Sequence, residues 1–302
     1  MSRGKPPAWR ADLALCAVSF VWGATFIIVK EAVADMPVLL FLTIRFSIAA
    51  LLLAAIFGFR KERVPIGPSL RGGAIAGTLL FTGYVLQTFG LRHTTASKTG
   101  FITGFYIPLV PIFGALIYRK APGISEVAGV VLAFIGTALM SMQGDLMSIR
   151  RGDMLVACAA VIYAVHIVVL GHFAKIADVA SLAVMQIATA ALCGGLTFWW
   201  ADPGPVRWTL TVWVALGVTS VLATAFAFAT QTWAQKHTTA TRAALIFSLE
   251  PVFAWLTSYV AAGELLTSRA LAGAGLILAG ILVAELKPLR WGVHQPLSDE
   301  SL

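Results

Sequence analysis

Charge is the scarcest property of this chain. Asp, Glu, Lys and Arg make up 12% of its 302 residues, while 59% are hydrophobic and the mean hydropathy is +0.86. A soluble domain carries about 25% charged residues, so a water-soluble globule is excluded. The three cysteines, Cys16, Cys158 and Cys193, fall singly inside apolar runs with no CxxC spacing. That pattern excludes a disulfide framework or a zinc site and leaves buried, inert thiols as the expectation. Five scattered histidines give no metal cluster. The Gly-Lys pair at Gly4-Lys5 has no glycine-rich lead-in, so no phosphate loop for ATP is present. Gly273-x-Gly275 lacks the third glycine of a dinucleotide fingerprint and lies inside an apolar run, so it reads as packing. Neither an H-E-x-x-H nor a G-x-S-x-G pattern occurs, and the expectation is a chain that is not an enzyme and takes no cofactor.

What the chain does have is long apolar runs. A helix crosses the roughly 30 Å hydrocarbon core with about 20 residues, and ten such windows fit. They are Leu13–Val29, Pro37–Phe59, Gly72–Leu91, Thr99–Tyr118, Val127–Gln143, Met154–Ala174, Val179–Ala201, Trp208–Gln235, Ala243–Gly263 and Ala270–Ala284. The basic start and Ala32-Val33-Ala34 imitate a cleavable leader. The apolar run is longer than a leader core, however, and Lys30-Glu31 interrupts it, so a retained first span is expected.

The windows repeat. Gln87-Thr88-Phe89-Gly90-Leu91-Arg92-His93-Thr94-Thr95-Ala96-Ser97-Lys98 returns 144 residues later as Gln231-Thr232-Trp233-Ala234-Gln235-Lys236-His237-Thr238-Thr239-Ala240-Thr241-Arg242. Asp12, Trp22 and Arg45 meet Asp153, Tyr163 and Gln186 at an offset of 141. Two five-span halves are expected, residues 11–143 and 153–286, followed by a tail at 287–302. An odd number of spans per half makes the second copy enter the membrane from the opposite side. The fold expected is therefore all-α and integral to the membrane: ten transmembrane helices as two inverted five-helix repeats.

The net charge of +8 sits in short loops, so it reads as a topology signal and gives no nucleic-acid partner. Loops on one side carry twice the Lys and Arg of the other, which holds Lys30, Arg92, Lys98, Arg150, Arg151, Arg207 and Arg269. Both termini are expected in the cytoplasm, with Lys30–Met36 and Arg150–Asp153 as outer loops.

Ionisable groups inside spans mark candidate sites, because each costs roughly 2.5–3.5 kcal/mol on insertion scales unless it faces protein or water. Arg45 lies mid-span and reads either as a structural hydrogen-bonding hub or as a pathway residue. Glu250 precedes Pro251, which leaves an upstream carbonyl unpaired and favours a helix break. His166 shares a helix face with Tyr163, and Gln87 and Gln231 are repeat partners. Trp22 and Tyr163 are mid-span aromatics whose polar atoms need partners, as do those of Tyr84 and Tyr106. A central cavity lined by Trp22, Tyr84, Gln87, Tyr106, Tyr163, His166 and Gln231 is expected, with Arg45 and Glu250 in structural or coupling roles.

Several of these residues carry a family likeness. Trp22-Gly23-Ala24-Thr25-Phe26, Arg45-Phe46, the two basic-His-Thr-Thr-Ala segments, Glu250-Pro251 and Gly263-Glu264 resemble the EamA-domain branch of the drug/metabolite transporter superfamily. The resemblance covers about residues 11–286, and the branch includes YddG-type exporters of amino acids and related metabolites. It implies a ten-helix inner-membrane carrier that exports a small molecule by alternating access without ATP. Rival expectations are a multidrug or quaternary-amine effluxer, which would place an acid in the cavity, and a passive channel. The halves depart from symmetry where Lys120 stands opposite Glu264 and Gln186 opposite Arg45.

Overall fold

The computed structural model describes residues 8–58, 66–94, 96–119, 121–141, 151–262 and 267–285, and these contain helices and no strand. The first half runs α1 (Ala8–Asp35), α2 (Val38–Phe57), α3 (Ile66–His93), α4 (Ala96–Thr103), α5 (Tyr106–Tyr118) and α6 (Ile124–Ser141). The second runs α7 (Arg151–Ile176), α8 (Val179–Ala201), α9 (Leu210–Ser220), a π-helical turn (Val221–Phe226), α10 (Ala227–His237), α11 (Ala240–Phe247), α12 (Glu250–Ala262) and α13 (Ser268–Glu285). Among the described residues, seven segments are long and apolar enough to cross a membrane, and α6 and α13 are shorter apolar helices. Helix is the expected answer to an apolar solvent, since it pairs backbone groups within one segment.

The duplicated His-Thr-Thr-Ala stretch is a helix junction. In the second copy α10 ends at His237, Thr238 is extended, and the Thr239 hydroxyl accepts from the Arg242 N–H at 3.1 Å to cap α11. In the first copy α3 ends at His93 and α4 starts at Ala96.

Two expected spans are broken where the sequence shows one apolar run. The fourth divides at Gly104-Phe105 and the ninth at Ser248-Leu249, positions 144 residues apart. The cause is proline in the first turn of the following half-helix, Pro108 in α5 and Pro251 in α12, where the missing N–H is tolerated but the preceding turn cannot continue. Short i→i−3 bonds take over: Ile107 N–H to Gly104 O at 3.0 Å, and Leu249 N–H to Ile246 O at 3.0 Å. Tyr106 and Glu250 thereby become the first residues of equivalent half-helices.

Glycines set the closest helix contacts. A Cβ on Gly136 would lie 2.5 Å from Gly273 O and one on Gly273 2.6 Å from Gly136 O; Gly129 and Gly280 repeat the arrangement at 2.5 Å in both directions. The α6–α13 contact is thus reciprocal, backbone on backbone. Gly23 brings α1 against the break, its Cβ position 2.5 Å from Glu250 O. The apolar interior forms two main clusters, one around α5, α10 and α11 and one around α2, α3 and α8, and Trp22 and Tyr163 pack against both. Leucines and tryptophans cover the outside, with Trp199, Trp200, Trp208 and Trp213 exposed together near one end. That is the interfacial aromatic placement of a membrane protein.

Two expectations are corrected. Lys30 to Asp35 and Arg151 to Asp153 are helical, because α1 and α7 run past their apolar cores. Cys158 is exposed on the outer surface and Cys16 and Cys193 are half-buried, since the apolar runs holding them face outward in part. The eighth expected span contains a π turn and runs through it as one segment, Leu210–His237. The tail at 287–302, Lys120 and Gly263-Glu264 lie outside the described residues.

Candidate functional site

A cavity of about 80 Å³ lies between the two apolar clusters. Roughly 10–15 Å³ suffices for one water, so its polar groups have room to be wet. The structure brings Trp22, Tyr84, Gln87, Tyr106, Tyr163, His166 and Gln231 together around it, and Arg45 and Glu250 as well. Thr25, Phe26, Thr103, Phe228 and Phe247 also line it and were missed. The repeat held a signal for two of them: Thr25 is the 141-residue partner of His166 and Phe228 the 144-residue partner of Tyr84.

The π turn supplies an acceptor. In an α-helix the Ala227 N–H would bond Ala223 O, but here it reaches Leu222 O and Thr224 O. Ala223 O accepts instead from Trp22 Nε1 at 2.9 Å and from Arg45 Nη2 at 3.2 Å. Arg45 also donates from Nε to Thr224 Oγ1 at 2.6 Å and from Nη2 to Tyr84 Oη at 3.2 Å, and its guanidinium lies 4.6 Å from the Tyr84 ring centroid. At 3% exposure it is buried and largely committed, as a hydrogen-bonding hub would be. Among the described residues its Nη1 donors take no hydrogen bond.

On the opposite wall Tyr163 donates to Gln87 Oε1 at 3.0 Å, and Gln87 Nε2 donates to Thr103 Oγ1 at 2.9 Å. His166 Nε2 lies 3.3 Å from Gln186 Oε1; because a carboxamide oxygen only accepts, that nitrogen carries the proton. Gln186 Nε2 continues to Thr232 Oγ1 at 2.8 Å, which fixes the amide orientation. Gln186, the repeat partner of Arg45, thus holds His166 as Arg45 holds Tyr84. Gln231 donates to Gln235 Oε1 at 3.1 Å, and its own buried Oε1 has no partner. Trp22 stacks obliquely on Phe228 and Phe247, with centroids 5.4 and 5.1 Å away.

Glu250 is the one carboxylate on the wall, and among the described residues it forms no ion pair or hydrogen bond. The cavity therefore offers an uncommitted carboxyl group, a committed cation with donors to spare, neutral amides and aromatic faces. No group of three or more metal-ligating residues occurs among the described residues.

A multi-helix membrane protein with a mixed polar and aromatic cavity at its centre has the form of a small-molecule carrier. The chain belongs to the EamA-like transporter family, which matches it twice, over residues 9–142 and 150–286. It is 34% identical over 278 residues to an uncharacterized transporter of Archaeoglobus fulgidus, covering 92% of this chain and 86% of that one. Identity to the uncharacterized transporter YvbV of Bacillus subtilis is 26% over 286 residues, 93% of each chain. Half of the chain is 26% identical to half of the uncharacterized inner membrane transporter YedA of Escherichia coli K12. A crystal structure with 22% identity superposes with a TM-score of 0.76 over 92% of this chain and 97% of that one, a likeness of fold.

Proposed function

We propose that this chain is an inner-membrane secondary transporter that exports small amphipathic metabolites, amino acids first, by alternating access. In this reading it is a ten-span protein of two inverted repeats with both termini in the cytoplasm, and substrate binds between the halves. The observation that carries the reading is that one cavity wall holds both a carboxyl group without a partner, Glu250, and a buried guanidinium, Arg45. Substrate ammonium would sit by Glu250 and the faces of Trp22 and Phe247, where ring quadrupoles attract cations. Substrate carboxylate would take the spare Nη1 donors of Arg45 and the neutral amides. A zwitterion with an apolar side chain satisfies both charges and leaves the aromatic wall for its side chain.

The lone acid also favours a second reading, export of hydrophobic cations such as quaternary amines, because these need a carboxylate and aromatic faces alone. Purified protein in liposomes separates the two when radiolabelled amino acids and cationic drugs are presented with and without a pH gradient. Saturable flux of an apolar amino acid, competed by its analogues and lost in Glu250→Gln, is expected. Flux of cationic drugs alone selects the second reading. Linear, uncompeted flux makes the protein a passive channel and removes both.

A further inference from the structure

Two ion pairs stand at corresponding places in the two halves. Lys98 in α4 meets Asp153 in the first turn of α7, Nζ to Oδ2 at 3.5 Å. Arg242 in α11 meets Asp12 near the start of α1, Nε to Oδ1 at 2.9 Å and Nη2 to Oδ2 at 2.6 Å. The bases are 144 residues apart and the acids 141, the offsets of the repeat. Each pair ties the short half-helix of one half to the first helix of the other, so the second pair is the first with the halves exchanged.

Their placement relative to the cavity is also matched. Lys98 lies eight residues before Tyr106 and Arg242 eight before Glu250, each separated from its cavity residue by a break. Each ion pair and its cavity residue thus flank one break, so a movement at that break bears on both. The environments differ. Lys98 and Asp153 side chains are 9% and 11% exposed, and Asp153 Oδ1 accepts a further bond from Thr94 Oγ1 at 2.6 Å. On the same end Lys30 Nζ donates to Thr94 O at 3.3 Å. The Arg242 and Asp12 side chains are 30% and 21% exposed. Parting a desolvated pair is costly unless both charges become wet, so the Lys98–Asp153 contact favours either a closed or a fully parted state.

We infer that Lys98–Asp153 and Arg242–Asp12 are the two gates of the transport cycle, at opposite ends of the cavity, which part in alternation. Both are closed in this structure. The inference rests on the proposed transport role of the cavity, but it assigns the gating to four residues that touch no substrate. With cytoplasmic termini, Lys98–Asp153 is the outer gate and Arg242–Asp12 the inner one.

Accessibility tests this without any substrate, so failure here is distinguishable from failure to find flux. Thr25→Cys, on the cavity wall, is introduced in the full chain with Cys16, Cys158 and Cys193 replaced by alanine, and is labelled by a membrane-impermeant maleimide in right-side-out and inside-out vesicles. Asp153→Asn is expected to raise the labelling rate from the Lys98 end and Asp12→Asn from the other, each roughly tenfold, within the ~5–150-fold range of conformational couplings. The exchange Lys98→Asp with Asp153→Lys should return the parent rate. Thr94→Ala removes one bond to Asp153 and provides a milder variant should Asp153→Asn reach the membrane poorly; it should shift labelling the same way by a smaller factor. Equal changes from both sides, or unchanged labelling in variants that label fully after denaturation, would overturn the assignment.

Discussion

Trp22 and Arg45, on the consecutive helices α1 and α2, donate to one and the same backbone oxygen, that of Ala223, at 2.9 and 3.2 Å. The π turn frees that carbonyl, so a local deviation in the eighth span anchors two side chains from the first half of the chain. The contact crosses between halves and holds part of the cavity wall in place.

Arg45→Gln is therefore expected to weaken the fold before it weakens binding. Thr224 Oγ1 loses its donor in a buried setting, at about 1–3 kcal/mol for a group left unsatisfied, while Ala223 O keeps the Trp22 Nε1 donor. Thermal unfolding in detergent without substrate should show a lower midpoint. A variant of normal stability and membrane level that no longer binds substrate would contradict this.

The α6–α13 contact gives a sharper structural test. Gly136→Ala and Gly280→Ala put a methyl group 2.5 Å from a facing backbone oxygen, and overpacking of this kind costs roughly 1–3 kcal/mol. Gly114→Ala, with nothing within 4 Å of the added carbon, is the control and should leave stability unchanged. Equal stability of all three chains would mean that the two helices do not pack as described.

At the cavity wall, Tyr163→Ala and His166→Ala are expected to change substrate preference or lower transport at normal expression. Removing Tyr163 strips Gln87 of a donor, and removing His166 opens the Gln186 oxygen; each loss of about 1.4 kcal/mol would appear as tenfold in apparent affinity. Competition curves for a set of amino acids measure it. Unchanged transport in both, with Trp22→Ala also silent, would move the binding site off this cavity.

Orientation is checked by labelling intact cells. Arg151→Cys should react with an impermeant reagent added outside, and Glu62→Cys should react after permeabilisation. The reverse pattern would invert the topology and exchange the two gates.

The membrane class and the positions of the apolar segments were legible in the sequence because both follow from composition and run length. So was the helix break at Glu250-Pro251, since proline removes its hydrogen bond whatever surrounds it. The repeat offsets named residues such as Trp22 and Tyr163 that meet at one cavity, because duplication preserves which helix face a position occupies. Tertiary packing alone decided what those residues bond to. The π turn that frees Ala223 O has no local sequence signature, and its effect is visible only once Trp22 and Arg45 arrive from other helices. Lys98 and Arg242 read as loop charges until Asp153 and Asp12, more than fifty residues away in sequence, were found beside them. Charge type and spacing are properties of the chain, but desolvation and partnership depend on which helices pack together, and that is settled by contacts between halves.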